Sequence, residues 1–173
     1  MGPEQARFLL DFYLPRLKFE QVTTKRILAA VPEDQGDYRP HPGSMSARRL
    51  SVHLAATEMW FLDAVIEHKF KDDDVPPPDE LLAGEDMAGW YEENFARRFA
   101  RLGTLSGQHL ATPVDYIGLR KDPVVAYLSF SLRHSAHHRG QLSSYLRPMG
   151  AKVPAIYVES GDEQQFPPEN LPI

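Results

Sequence analysis

H-S-A-H-H-R-G-Q-L-S-S-Y-L-R-P-M, running from His134 to Met149, is the stretch on which the fold of this chain turns. At about 100° per residue, Val124, Tyr127, Leu128, Ser131, His134, His138, Leu142, Tyr145 and Leu146 share one broad stripe, while Arg133, Arg139, Ser143 and Arg147 fall mostly outside it. Asp122 followed by Pro123 predicts the start of this helix, because a capping side chain and a proline at the first helical position dispose of orphaned backbone donors. Pro148 and Gly150 predict its end. The segment is therefore a long amphipathic helix with two imidazoles on its inner face.

His134 and His138 are spaced i, i+4, which stacks them one turn apart and lets one helix offer two nitrogens to a single ion. His137 turns to the flank of the stripe, where solvent or an outer hydrogen-bond partner is expected. Gln141 stacks almost directly over His134, a position from which its amide could hold a metal-ligating ring or a metal-bound water. Two histidines on one helical face are common and usually bind nothing, so a third, distant histidine is needed to make the case.

The second helix supplies it. Ser44 or Ser46 caps a segment that runs to about Lys69, in which Leu50, Leu54, Thr57, Phe61, Ala64 and Val65 lie on the same side as His53. His53 stands at the edge of that stripe, where a ligand must stand if a metal is to keep one position open to a cleft. His68 and His109 fall near helix ends, where the negative end of the helix dipole accounts for them. His41 lies between two prolines in an irregular loop and reads as structural.

Composition narrows the classes. The chain has 173 residues, 42% of them hydrophobic, enough for one domain with a substantial core. A formal net charge of −5 without a concentrated basic run argues against nucleic acid as a partner. Cysteine is absent, so any metal must be held by nitrogen and oxygen. The N-terminus lacks the basic start and apolar run of a signal peptide, and no stretch has the length of a membrane span, so a soluble cytoplasmic protein without membrane attachment is expected.

The rest of the chain is helical in pattern. Glu4 to Ala30 predicts a first helix, with Pro15 as a kink or first turn, and Asp86 to Gln108 a third whose face is Met87, Trp90, Tyr91, Phe95, Phe99 and Leu102. Phe70 to Glu85, containing K-D-D-D and V-P-P-P, reads as a solvated connection long enough to cross the end of a bundle; a cation site at Asp72 to Asp74 is the weaker reading. Val114 to Ile117 before Gly118 suggests a short hairpin. The division expected is a bundle over 1–157 and an irregular acidic, proline-rich tail over 158–173, packing through Ile156 and Tyr157 before it loosens. Four long amphipathic segments without a series of strands make the fold class all-α, an antiparallel four-helix bundle with long connections.

Y-R-P-H-P-G-S-M-S, then S-V-H-L-A-A-T-E-M-W on the second helix, and H-S-A-H-H-R-G-Q-L-S-S-Y-L-R-P-M-G-A-K-V-P on the fourth resemble the DinB/YfiT-like family of bacterial metal-binding bundles, from the first helix to about Tyr157. The resemblance carries the family's three metal-binding histidines onto His53, His134 and His138. It implies a divalent ion, with zinc or nickel ahead of iron or manganese, and a homodimer. It also implies a small-molecule substrate: some members are transferases or isomerases using thiols such as bacillithiol or mycothiol. A metal-dependent thiol S-transferase, with Gln141 and Tyr145 as candidate outer or pocket residues, is the leading expectation. A stress-associated metal-binding protein without catalysis and a metal-dependent hydrolase are the alternatives.

Overall fold

The computed structural model describes residues 1–71 and 83–163. Four long helices make the bundle: α1 (Pro3–Ala29), α2 (Ala47–Glu67), α3 (Gly84–Gly103) and α5 (Ala126–Leu146). Between α3 and α5 lie a one-turn helix, α4 (Gly107–Ala111), and an antiparallel hairpin of β1 (Pro113–Tyr116) and β2 (Arg120–Pro123). The all-α bundle expected from the periodicity is what the chain forms. The suggested metal reading of Asp72 to Asp74 lies outside the described residues.

Long-range contacts give the directions. Arg7 on α1 bonds the Gly103 and Leu105 carbonyls, whereas Lys25 pairs with Glu92, so α1 and α3 are antiparallel. His53 meets His138 and Phe61 meets Phe130, so α2 and α5 are antiparallel as well. Glu58 bonds Tyr91 and Asp63 pairs with Arg98, so α2 and α3 point the same way. The bundle is thus two antiparallel pairs side by side. Two successive parallel helices demand the long connection that the sequence supplies between them.

Two boundaries differ from the sequence expectation, the first because tertiary hydrogen bonds take over a local signal. Asp122 and Pro123 do not open the last helix; they end β2, with Pro123 opposite Pro113 and Asp122 opposite Val114. The Val124 and Val125 amides then donate to the Thr112 and Leu110 carbonyls, and the helix begins at Ala126. The third helix stops at Gly103, and Ser106 caps a new one by accepting from the His109 amide at 3.1 Å. Pro15 is a mid-helix residue of an uninterrupted α1, on its outer side.

The core runs through all four helices, with Leu10, Leu17, Leu54, Phe61, Tyr91, Phe95, Leu128 and Leu142 fully buried. An aromatic cluster of Trp60, Phe61, Phe70, Tyr116, Tyr127 and Phe130 ties the hairpin to α2 and α5. At the same end His68, the left-handed cap of α2, bonds the Thr112 carbonyl at 3.0 Å, and His109 bonds the Val65 carbonyl at 2.7 Å. Both rings donate to last-turn or neighbouring carbonyls at helix ends, where the sequence places them. Gly107 is required by close approach: a Cβ there would stand 2.3 Å from the Pro3 carbonyl oxygen. Among the described helices none is long and apolar enough to cross a membrane.

Candidate metal centre

His53 lies on the second turn of α2, which starts cleanly because Ser46 accepts from the Arg49 amide at 3.3 Å. His134 and His138 lie on adjacent turns of α5, directly across the antiparallel interface. The three rings converge, with centroids 5.0 Å apart for His53 and His134, 4.6 Å for His53 and His138, and 4.4 Å for His134 and His138. One ring nitrogen from each lies within 4.8 Å of the others, and all three side chains are half-buried. His137 points outward, exposed, its ring 4.8 Å from that of His138. His41 is exposed and accepts from the Gly43 amide through Nδ1 at 3.0 Å.

Hydrogen bonds at the backs of the rings determine what the fronts can do. Gln141 Oε1 is an acceptor, so the 3.1 Å contact with His138 Nδ1 requires a proton on Nδ1 and leaves Nε2 as a lone pair. That Nε2 faces His53 Nε2 at 3.2 Å, while His53 Nδ1 meets the Thr57 hydroxyl at 3.3 Å. Only a proton or a cation between two such nitrogens makes that separation favourable. Two imidazole nitrogens each about 2.0–2.1 Å from a tetrahedral ion are about 3.3–3.4 Å apart, so the pair fits metal ligation. His134 Nδ1 is buried with no partner among the described residues, which leaves this ring too with unmet coordinating capacity.

Gln141 serves His138, one turn below it, rather than His134, over which it stacks. Its amide nitrogen is 3.5 Å from the Tyr145 hydroxyl, which in turn donates to the Met45 carbonyl at 3.3 Å. Tyr145 is buried edge-on to Tyr38, so it braces the Gln141 amide and anchors it to the loop before α2.

Burial pushes the His134 imidazole down from its ordinary value to about 4, with the neighbouring His138 and His53 adding to the effect. Burial lowers His138 as well, partly offset by Gln141. Both rings are held neutral, the form that ligates. A histidine with a depressed folded pKa binds fewer protons folded than unfolded as pH falls from about 6.5 to about 4, so its contribution to stability is present at neutral pH and lost across that window. For His134 the loss is about 3 kcal/mol at most, and less after solvent screening of a half-buried ring. Chelator-treated protein should therefore lose more stability between pH 7 and pH 4 than its His134→Asn variant does. Equal losses in urea titrations of the two would refute this.

Beneath the histidines lies a polar layer that the sequence reading did not single out. Glu58 is 3% exposed and accepts from the Ser135 hydroxyl at 2.7 Å and the Tyr91 hydroxyl at 3.0 Å; burial pushes its carboxyl up from the usual range. Arg139, placed outside the apolar stripe by the periodicity, is instead 1% exposed. It pairs with Glu20 and donates to Thr24 Oγ1 at 2.9 Å and to the Tyr157 hydroxyl at 2.7 Å. The stripe centred on the histidines is thus rotated some tens of degrees from the true core direction, which runs through Ser131, Ser135 and Leu142. A signal existed for Glu58: one carboxylate flanked by Leu54, Ala55, Met59, Phe61 and Leu62 on a helix.

The tail stays attached from Tyr157 as far as Glu163. Asp162 accepts from Arg147 and the Val153 amide, and Glu163 from Arg26 and the Ala155 amide.

The model of the DinB family matches residues 10–170. The chain belongs to the DinB family. An uncharacterized Bacillus subtilis protein, YrdA, is 24% identical over 156 residues, covering 89% of this chain and 91% of its own length. Two solved DinB-like structures have the same fold. YjoA of Bacillus subtilis superposes with a TM-score of 0.67 at 20% identity over 88% of this chain and 98% of its own. A DinB-like protein of Bacillus cereus superposes with a TM-score of 0.70 at 22% identity over 84% and 95%.

Proposed function

We propose that His53, His134 and His138 together hold one divalent metal ion, zinc or nickel in the first instance, and that this DinB-family protein is a cytoplasmic metal-dependent enzyme transferring a low-molecular-weight thiol to a small electrophilic substrate. The observation that carries the metal is the 3.2 Å approach of two imidazole Nε2 atoms, one of them deprotonated by the hydrogen bond at its back. Three neutral nitrogen ligands leave a fourth position for an exchangeable group, and the half-buried setting of all three rings supports access to it. A divalent ion held by the three rings would favour the thiolate form of a thiol bound at the fourth position and orient its sulfur. The chain has no cysteine, so the thiol would arrive as cosubstrate.

The residues have separable tasks in this reading. Gln141 keeps the His138 Nε2 lone pair forward, Tyr145 fixes the Gln141 amide, and Thr57 steadies the His53 ring. Gln141→Ala is therefore expected to weaken metal affinity by about 10–100-fold without abolishing it, the usual cost of losing such a partner. Competition titration with a chelator measures it; unchanged affinity would remove Gln141 from the centre.

Elemental analysis of protein purified without a nickel column, followed by transfer assays with bacillithiol, mycothiol and glutathione, tests the whole. One equivalent of metal and thiol transfer lost in the His138→Ala variant is the expected result. Protein without stoichiometric metal sinks the metal centre. Metal without transfer to any electrophile tried sinks the transferase and leaves a non-catalytic binding protein or a metal-dependent hydrolase.

A further inference from the structure

His53 and His138 are each met at the back of the ring by a polar side chain one turn away on their own helix. Thr57, four residues after His53, meets its Nδ1 at 3.3 Å, and Gln141, three residues after His138, meets its Nδ1 at 3.1 Å. Both rings therefore face the cluster with Nε2, the two atoms that stand 3.2 Å apart. His134 differs. Its Nδ1 is buried and makes no hydrogen bond among the described residues.

Phe130, Ser131, His137 and His138 lie one turn from His134 on α5. Phe130 has no side-chain acceptor, and neither has Phe61 of α2, whose ring stands 6.0 Å from that of His134. His137 is exposed, and both nitrogens of His138 are engaged, with His53 and with Gln141. Ser131 remains, and its hydroxyl is itself an orphan: the residue is 1% exposed and Oγ is buried without a partner among the described residues. Ser51 and Ser135, as deeply buried, both have one, since Ser51 donates to the Ala47 carbonyl at 2.9 Å and Ser135 to Glu58 at 2.7 Å. Helical side chains lean toward the N-terminus, so the His134 ring leans over the turn that carries Ser131, and Nδ1 is the ring nitrogen nearer the backbone. Unpaired buried polar atoms are costly, and two of them three residues apart on one helix relieve each other by bonding.

We infer that Ser131 is the positioning residue of His134: with Nε2 turned to the metal, Nδ1–H donates to the Ser131 hydroxyl oxygen, which does for the third ring what Thr57 and Gln141 do for the other two. The two atoms are not bonded to each other in this structure, and the contact closes as the hydroxyl moves between its staggered positions. Ligation through Nε2 fixes the proton on Nδ1, so the bond belongs to the metal-bound state. In the metal-free protein the hydroxyl stays unpaired. This role of Ser131 rests on the proposed metal centre, whatever reaction that centre carries out.

Ser131→Ala separates positioning from packing, because the two predict opposite signs in the metal-free protein. After chelator treatment the replacement removes an unpaired buried hydroxyl, so the melting temperature should hold or rise. In competition titrations of zinc-loaded protein with a chelator, zinc affinity should fall by about tenfold or more, and Ser131→Thr, which keeps the hydroxyl, should restore it. Nuclear magnetic resonance of zinc-loaded wild type with isotope-labelled histidine should show His134 ligating through Nε2 and holding a slowly exchanging proton on Nδ1. In Ser131→Ala that proton should exchange faster. Unchanged zinc affinity in Ser131→Ala, or ligation of His134 through Nδ1, overturns the assignment and leaves the metal centre standing. An equal loss of stability with and without zinc overturns it too, since packing alone would produce that. Wild type that takes up no zinc sinks the centre and this role together.

Discussion

His138→Ala is expected to abolish stoichiometric metal binding, and His137→Ala to leave it intact. The two residues are neighbours in sequence and both lie about one turn from His134, so composition cannot separate them. Geometry does: the His138 Nε2 stands 3.2 Å from the His53 Nε2, and the His137 ring is exposed on the far side. Truncation at His138 removes a ligand and strands the Gln141 amide, so the loss should exceed the roughly 10–100-fold expected for an outer partner alone. Truncation at His137 removes a solvated ring. Metal content after dialysis, read alongside calorimetric titration, measures both. Retention of metal by His138→Ala, or its loss from His137→Ala, would mean that α5 presents a different face to α2.

Arg139→Ala is expected to cost about 3–5 kcal/mol of stability, the range for breaking a buried ion pair by removing one partner. The guanidinium is 1% exposed and joins α5 to α1 through Glu20 and Thr24 and to the tail through Tyr157. Its removal leaves a cavity and unpaired acceptors on two segments, α1 and the tail. Glu20 is 19% exposed at its side chain and can recover some hydration, which places the expected value in the lower half of the range. For a chain of this size the melting temperature should fall by about 2–4 °C for each kcal/mol. Arg139→Met, which keeps most of the volume and no charge, should fall between the two. A thermal melt of Arg139→Ala within about 3 °C of wild type would show that the pair contributes little. Because Arg139 directly follows His138, the same pair fixes the rotation of α5 that turns the histidines toward α2.

The sequence by itself determined the helices, because their periodicity is carried by many residues and survives an error at any one of them. It also determined that His53, His134 and His138 could converge, since an i, i+4 pair is a statement about one helix and the third histidine needs only an antiparallel neighbour. Local capping and turn chemistry were less decisive. Asp122-Pro123 has the form of a helix start, yet the amides that follow find carbonyls at Thr112 and Leu110, and pairing with β1 wins. Only the tertiary structure decided what is polar inside. A wheel drawn from one helix places arginine and glutamate outside, because their burial is favourable only when another helix supplies the partner. Glu58 meets Tyr91 and Ser135 from α3 and α5, and Arg139 meets Glu20 and Thr24 from α1. Which ring Gln141 serves was decided the same way: stacking places its backbone over His134, but a flexible side chain braced by Tyr145 reaches His138.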